Sequence, residues 1–268
     1  MTPRTSPRLV ATDLDGTIVR EDGTISARTL AAFGRAERGG ARFVLVTGRP
    51  PRLMGRIAEA FGNRGVAICA NGALTYDMRT GRINGERLIP ADALSEAARL
   101  LRKVIPGIGI AVENAFDLAA DNRYQAGVWD DGLAEIPRLD DAELFGRAAA
   151  KLLGRHPDHT ADELLALAHP AIGRIVNTYH SNGWSLVEAV APEVSKASAV
   201  AALARKYGIA RGEVIAFGDM PNDLPLLAWA GTSYGMANAH RDVLAAVDHV
   251  IPGNDDDGVA TVLETLFP

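Results

Sequence analysis

Asp13 and Asp15 stand two apart, directly after the short apolar run Leu9-Val10-Ala11-Thr12. In an extended chain the side chains at i and i+2 point to the same side, so the pair presents two carboxylates to one spot. Seen alone, Asp13-Leu14-Asp15-Gly16-Thr17 is equally an ordinary Asp-Gly turn. A second acidic group, Gly218-Asp219-Met220-Pro221-Asn222-Asp223, follows the run Val214-Ile215-Ala216-Phe217. Asp and Asn are preferred helix caps, yet capping accounts for one of Asp219, Asn222 and Asp223, not for all three. Carboxylates gathered in one cleft repel and raise each other's pKa unless a cation compensates. A set of hard oxygen ligands suits magnesium rather than zinc or copper.

Two further residues belong to the same pattern. Thr47 closes the apolar run Phe43-Val44-Leu45-Val46 and leads into Gly48-Arg49. Lys196 falls in the first turn of a helix that Ser195 can cap, where the helix dipole disfavours a cation by up to about 1 kcal/mol. A lysine there is tolerable if it faces anions, such as the carboxylate cluster and a phosphoryl group. Taken by itself it is a solvated surface lysine.

The elements that must position these residues alternate between short apolar runs and amphipathic helices. The first 80 or so residues hold runs at 9–12, 43–46 and 66–70, separated by a helix from Ser26 to Gly39-Gly40 and another opened by Pro50-Pro51, with Leu53, Ile57 and Ala60 on one face. After about residue 190 the grammar returns: a helix at 195–207 closed by Gly208, a run at 214–217, a helix at 222–230, and shorter candidates at 232–236, 241–246, 249–251 and 259–266. Short continuous apolar runs covered by helices on both faces make parallel strands. If those strands are neighbours, Asp13, Thr47 and Asp219 converge at the edge where open α/β sheets bind ligands. The expected fold is α/β, a doubly wound, Rossmann-like parallel-sheet core.

The middle of the chain differs. Helices are expected at 91–104, 142–153 and 162–168, and strands at 108–112, 116–119, 172–176 and 185–190. None of these strands ends in Asp or Thr-Gly. The reading is a core domain formed by 1–82 and 189–268, with a second α+β domain, 83–188, inserted into it; the alternative is one continuous sheet with long connections.

Composition bounds the function. The chain has 268 residues, 28 basic and 33 acidic, for a formal net charge of −5. That mild acidity argues against nucleic-acid binding, which needs a basic stripe. No apolar stretch approaches the roughly 18 residues that span a bilayer, so no membrane association is expected, and charges follow the N-terminus too soon for a signal peptide. The single cysteine, Cys69, lies in an apolar run and reads as a buried, inert thiol. A cytoplasmic monomer or homodimer is expected. Gly-rich phosphate loops, dinucleotide fingerprints, His-Glu-x-x-His and Gly-x-Ser-x-Gly are all absent. His156 and His159 flank Pro157-Asp158 in a polar turn and read as surface residues. Trp129 and Trp184 read as packing residues.

Together the motifs resemble those of the haloacid dehalogenase superfamily, and within it the Cof-type phosphatases. Asp13-Leu14-Asp15-Gly16-Thr17 is similar to that family's first motif, in which the first Asp is the nucleophile and the second the general acid/base. Thr47-Gly48-Arg49 resembles the second, whose Thr binds the phosphoryl group. Lys196 resembles the lysine of the third, although Ala197 stands where the family usually has Gly. Gly218-Asp219-Met220-Pro221-Asn222-Asp223 resembles the fourth, acidic motif. Met236-Ala237-Asn238-Ala239 and Asp257-Gly258-Val259-Ala260 are similar as well. An insertion between the second and third motifs is what the family calls a C2 cap.

The resemblance implies a magnesium-dependent phosphatase of small phosphorylated metabolites, a sugar phosphate or a cofactor phosphate, working through an aspartyl phosphate. Asp13 would attack, and Asp15 would protonate the leaving oxygen and then activate water. Asp13, the Asp15 backbone carbonyl and Asp219 would hold Mg2+, with Asp223 orienting a bound water. Thr47, Gly48, Lys196 and Asn222 would hold the phosphoryl oxygens. Specificity would come from the cap, with Arg123, Tyr124 and Arg174 as candidates because each lies in or beside a predicted element there. A phosphomutase on the same core and a non-catalytic phosphometabolite-binding module are the rival readings. The first differs in how the cap excludes water; the second would release no phosphate.

Overall fold

The computed structural model describes residues 7–127, 135–180 and 185–268. Two sheets organise it. The larger has eight strands. Its parallel part is built from β1 (Leu9–Thr12), β2 (Arg42–Val46) and β3 (Val66–Cys69), which pair in sequence order. β4 (Leu74–Asp77) and β5 (Arg82–Glu86) then turn back as an antiparallel hairpin at one edge. The C-terminal flank supplies the other half. It contributes β11 (Val214–Gly218), which pairs in parallel with β1, followed outward by β12 (Thr232–Met236) and β13 (His249–Ile251). β1 therefore lies between β2 and β11, and residues 200 apart in sequence meet at one sheet edge.

Burial explains the apolar runs. Val10, Phe43 and Leu45 pack on one face with Phe33 and Ala36 of α1 (Ala27–Arg38) and Val259 and Leu263 of α9 (Gly258–Leu266). The intervening Leu9, Ala11, Val44 and Val46 pack on the other face with Val200 and Leu203 of α6 (Lys196–Lys206), Leu226 of α7 (Leu224–Trp229) and Val243 of α8 (Arg241–Leu244). Alternate residues thus enter opposite apolar layers, and neither layer tolerates a polar residue along the strand. Phe33 anchors the first layer, edge-on to Phe43 and Phe61; truncating such a buried ring costs about 3–5 kcal/mol. α2 (Gly55–Ala60) buries Ile57 and Ala58 rather than Ala60, because a short 3-10 turn at Pro51–Leu53 precedes it and rotates the face. Burial pushes the Cys69 thiol pKa up, so the thiol stays protonated and inert.

The second sheet is antiparallel throughout. It has the order β7 (Leu118–Ala120), β6 (Gly109–Glu113), β8 (Lys151–Arg155), β10 (Leu186–Val190), β9 (Asn177–Tyr179). α3 (Ala91–Val104) and α5 (Ala161–Ile172) pack together and share an apolar cluster with Ile110, Val112, Leu152, Val187 and Ala189. With a period of two, Ala111, Glu113, Lys151, Leu153, Leu186 and Glu188 belong to the opposite face. Strand membership places 82–86 in the first sheet and 186–190 in the second.

Two expected elements in this part differ from the structure. Of the expected helix at 142–153, only α4 (Asp141–Leu144) forms, and 151–155 is β8, the centre of the second sheet. The alanine-rich stretch has helical propensity, but pairing with both β6 and β10 overrides it. Residues 172–176 are not a strand: Val176 N–H closes a turn onto the Ile172 carbonyl at 3.0 Å, and β9 starts one residue later. His156 and His159 are half-buried in the turn after β8. Trp129 and Trp184 lie outside the described residues. Among the described residues, no helix is long and apolar enough to cross a membrane.

Candidate active site

β1, β2 and β11 all end at the same edge of the large sheet, and each delivers a polar residue there. Asp13 follows β1, its N–H donating to the Phe217 carbonyl of β11 at 3.1 Å. Thr47 follows β2, anchored by its N–H to the Ile68 carbonyl at 2.8 Å. Asp219 follows β11. Gly16 turns the chain directly beneath it: its φ is +76°, and a Cβ there would collide with the Asp219 carboxylate. Thr17 Oγ1 then donates to Asp219 Oδ1 at 2.8 Å. Lys196 opens α6 behind the Ser195 cap and reaches under the cluster.

These side chains form one buried group. Asp13, Asp219 and Asp223 offer oxygens that all lie within 4.8 Å of one another. Lys196 Nζ is 3.0 Å from Asp13 Oδ1 and 2.7 Å from Asp223 Oδ1. Lys196 is 1% exposed, so the surface-lysine alternative does not hold. Asp223 also acts as a cap: its Oδ2 accepts from the Asp219 and Met220 N–H groups, each at 3.1 Å. Burial, then the Asp223 carboxylate, pushes Asp13 up to about 7 despite Lys196. Burial and the two neighbouring carboxylates also raise Asp219 well above the usual range. Burial would lower the Lys196 ammonium, but Asp13 and Asp223 outweigh it and hold it above its ordinary value.

One lysine thus serves three buried carboxylates. The remaining negative charge and the convergence of hard oxygens fit a divalent cation such as magnesium. Asp15 stands apart from this group. Its carboxylate faces the cleft mouth and is gripped by Arg49, whose Nε lies 2.8 Å from Asp15 Oδ2 and whose Nη2 pairs with Oδ1.

The second sheet closes the cleft from above. Glu113 and Lys151 are directly opposite in the β6–β8 register, and Glu188 lies on the next strand. Lys151 Nζ is 2.9 Å from Glu113 Oε2 and 3.4 Å from Glu188 Oε1, and it donates to the Gly48 carbonyl at 2.9 Å. Arg52 pairs with Glu113 at 2.9 Å. Burial would depress the Lys151 ammonium, but Glu113 and Glu188 hold it above the usual range. Glu113, Lys151, Leu153, Leu186 and Glu188 line the same cleft as Asp13, Asp15, Thr47, Gly48 and Asn222.

The expected core residues Asp13, Asp15, Thr47, Gly48, Lys196, Asp219, Asn222 and Asp223 are brought together. Arg123, Tyr124 and Arg174 are not. Tyr124 is buried in a side cluster with Leu153 and Leu186, under the Arg155 guanidinium. Arg123 is exposed beside it, and Arg174 is exposed after α5, whose helix covers the face away from the cleft. Sequence reasoning missed Arg49, Asn71, Glu113, Lys151 and Glu188 as members of the site. The readable signal was a charge inside an otherwise apolar strand, as in Leu186-Val187-Glu188-Ala189-Val190.

Comparison with known proteins bears on the family and the fold. The sequence model of the haloacid dehalogenase-like hydrolase family matches residues 10–263. The 5-amino-6-(5-phospho-D-ribitylamino)uracil phosphatase YbjI of Escherichia coli is 26% identical over 267 residues, spanning 98% of this chain and 97% of that one. The phosphatase of the same substrate named YitU in Bacillus subtilis is 26% identical over 275 residues, spanning 98% of each. Among solved structures, the haloalkanoate-superfamily phosphatase BT1666 of Bacteroides thetaiotaomicron superposes with a TM-score of 0.82 at 23% identity, over 99% of this chain and 98% of that one. The subclass IIB sugar phosphatase BT4131 gives 0.82 at 21% identity, over 96% and 98%. At these identities the two structures speak for the fold.

Proposed function

The chain belongs to the haloacid dehalogenase-like hydrolases, and from that premise we propose that it is a magnesium-dependent phosphatase of small phosphorylated metabolites. The observation that carries this reading is the buried, lysine-backed Asp13 at the end of β1, with Asp15 two residues on and outside the acidic cluster. Asp13, Asp219 and the Asp15 backbone carbonyl would hold Mg2+, with Asp223 orienting a bound water. The ion supplies the charge neutralisation that lets an anionic nucleophile meet an anionic phosphate.

The chain's own residues divide the chemistry as follows. An Asp13 carboxylate oxygen forms a bond to phosphorus as the bond to the ester oxygen breaks, leaving an aspartyl phosphate. Asp15, once its carboxyl has left the Arg49 guanidinium, gives a proton to the departing oxygen. In the second half Asp15 takes a proton from the water that attacks phosphorus, which frees Asp13 and phosphate. Lys196, Thr47, Gly48 and Asn222 hold the oxygens of the transferred group, where positioning and charge are most of the catalysis. The name shared by the two relatives supports a polyol monophosphate as substrate. The test is phosphate release from a panel of phosphorylated metabolites with Mg2+ and in excess chelator. Full activity in chelator contradicts the metal assignment. Conversion of one phosphate ester into its positional isomer, without phosphate release, contradicts the hydrolase in favour of a phosphomutase.

A further inference from the structure

Asn71 sits in the turn between β3 and β4, at φ 54° and ψ 25°, and is 1% exposed. Asn visits this left-handed region more readily than other non-glycine residues, but the conformation still has a cost. The loop is pressed against the start of α6: Gly72, at φ +108°, has no room for a Cβ because it would collide with the Ser195 carbonyl. The strained turn therefore lies beside the first residue of the helix that carries Lys196.

The side chain of Asn71 joins the two halves of the cleft. Its Nδ2 donates to Glu188 Oε2 on the second sheet at 2.5 Å. Its Oδ1 accepts from Asn222 Nδ2 in the acidic motif at 3.0 Å. Its backbone N–H donates to the Thr47 carbonyl at 3.0 Å. One residue thus touches Glu188, Asn222 and Thr47.

The hydrogen-bond chemistry gives this chain a direction. An ionised carboxylate only accepts, so Glu188 requires Asn71 to present its NH2. The Asn71 carbonyl must then face Asn222, and Asn222 in turn must present its own NH2. Lys151, close to the other Glu188 oxygen, fixes that carboxylate as an acceptor at both ends. Asn222 Oδ1 is left buried without a hydrogen-bond partner among the described residues. Such an orphan has a cost, and it fits an amide whose orientation is imposed from outside rather than chosen by its own surroundings.

We propose that Asn71 is a positioning residue that carries the Glu188 carboxylate's polarity to Asn222, so that the NH2 of Asn222 faces the phosphate oxygens only while the second sheet is closed over the core. The proposal rests on the reading of Asn222 as a phosphate holder. Phosphate capture and cap closure are then one event, and a site left open to water has a disordered phosphate cradle.

The probe is inorganic phosphate, titrated by calorimetry against the full-length protein in excess magnesium, which requires no turnover. Asn71→Gly keeps the backbone conformation and removes the relay. Glu188→Gln keeps the shape but offers one acceptor to two donors; Lys151 claims that acceptor, so the amide end turns to Asn71 and reverses the relay. Each variant, like Asn222→Ala, is expected to weaken phosphate binding about tenfold, the size of one hydrogen bond to a charged group. On an Asn222→Ala background Glu188→Gln is expected to have no further effect. A merely structural role for Glu188 predicts the same loss on both backgrounds, and that result overturns the proposal. Unchanged phosphate affinity in Asn71→Gly and Glu188→Gln overturns it too, as does a wild type that binds no phosphate. A wild type that binds phosphate through this relay but hydrolyses no ester contradicts the phosphatase reading alone.

Discussion

The two faces of the cleft bury charge in opposite ways. At the strand ends of the large sheet, Asp13, Asp219 and Asp223 outnumber Lys196, and two of the three carboxylates are held well above their ordinary pKa. At the second sheet, Lys151 of β8 and Arg52, reaching over from the turn after β2, are matched by Glu113 and Glu188. A buried charge is expensive, and a matched pair stabilises no more than a well-packed apolar pair would. Unmatched charge is therefore the mark of a place that takes up a cation and reacts. Matched charge fits a surface that orients groups without changing its own protonation.

The largest expected effect breaks the unmatched side. Asp13→Asn should lower turnover by more than about a thousandfold, because an amide is not a nucleophile. Its thermal unfolding should stay cooperative, since the substitution removes one of several repelling charges. Steady-state phosphate release and a melting curve on the same preparation check this.

The next breaks the matched side. Lys151→Met leaves Glu113 and Glu188 facing each other in a buried site, and should destabilise the protein by about 3–5 kcal/mol. Urea unfolding of the wild type and the variant measures it. Restoring the balance with Glu188→Gln in the same chain should recover part of the loss. A loss below about 1 kcal/mol would show that the pair is solvated.

A third prediction sharpens the contrast through pH. The folded pKa of Asp13 is about 7, above its ordinary 3.8. Between these values the folded state binds more protons than the unfolded one, so this group's contribution falls as pH rises through the window. A divalent cation requires the deprotonated form and cancels the repulsion. The melting-temperature rise on adding magnesium should therefore be larger at pH 8 than at pH 5.5. In Asp13→Asn that pH dependence should shrink. A rise independent of pH would separate the acidic cluster from the metal.

The core of the site was legible because parallel strands leave a plain trace. Apolar runs ending in Asp13, Thr47 and Asp219 report both the strand and the edge at which it stops. The cap was not legible, and the reasons are physical. Its strands are antiparallel and their partners are set by pairing across the sheet, so the alanine-rich approach to β8 read as helix. Its functional face carries Glu113, Lys151 and Glu188 on three strands, and nothing local to any one strand brings them together. Arg123, Tyr124 and Arg174 lie in or beside elements of this part, and that placement says nothing about the face they occupy.

The smallest expected effect follows from that difference. We propose that Glu113, which lines the cleft, meets the leaving group. Replacing it should reorder kcat/KM across a substrate panel, whereas Arg174→Ala, on the far side of the sheet, should change each value by less than about twofold, as surface changes do. A reordering by Arg174→Ala as large as that by Glu113→Gln would relocate recognition.

The central claim is that Asp13 carries the phosphoryl group and Asp15 completes both halves of the reaction. Asp15→Asn, given an aryl phosphate whose leaving group needs no proton, tests it most directly. Asp13 should still be phosphorylated, and hydrolysis should stall for want of a base. Mass spectrometry of the acid-quenched protein should find a phosphoryl adduct on the peptide containing Asp13, accumulating with time. Phosphate released at the wild-type rate from that variant, with no adduct on Asp13, would contradict the account.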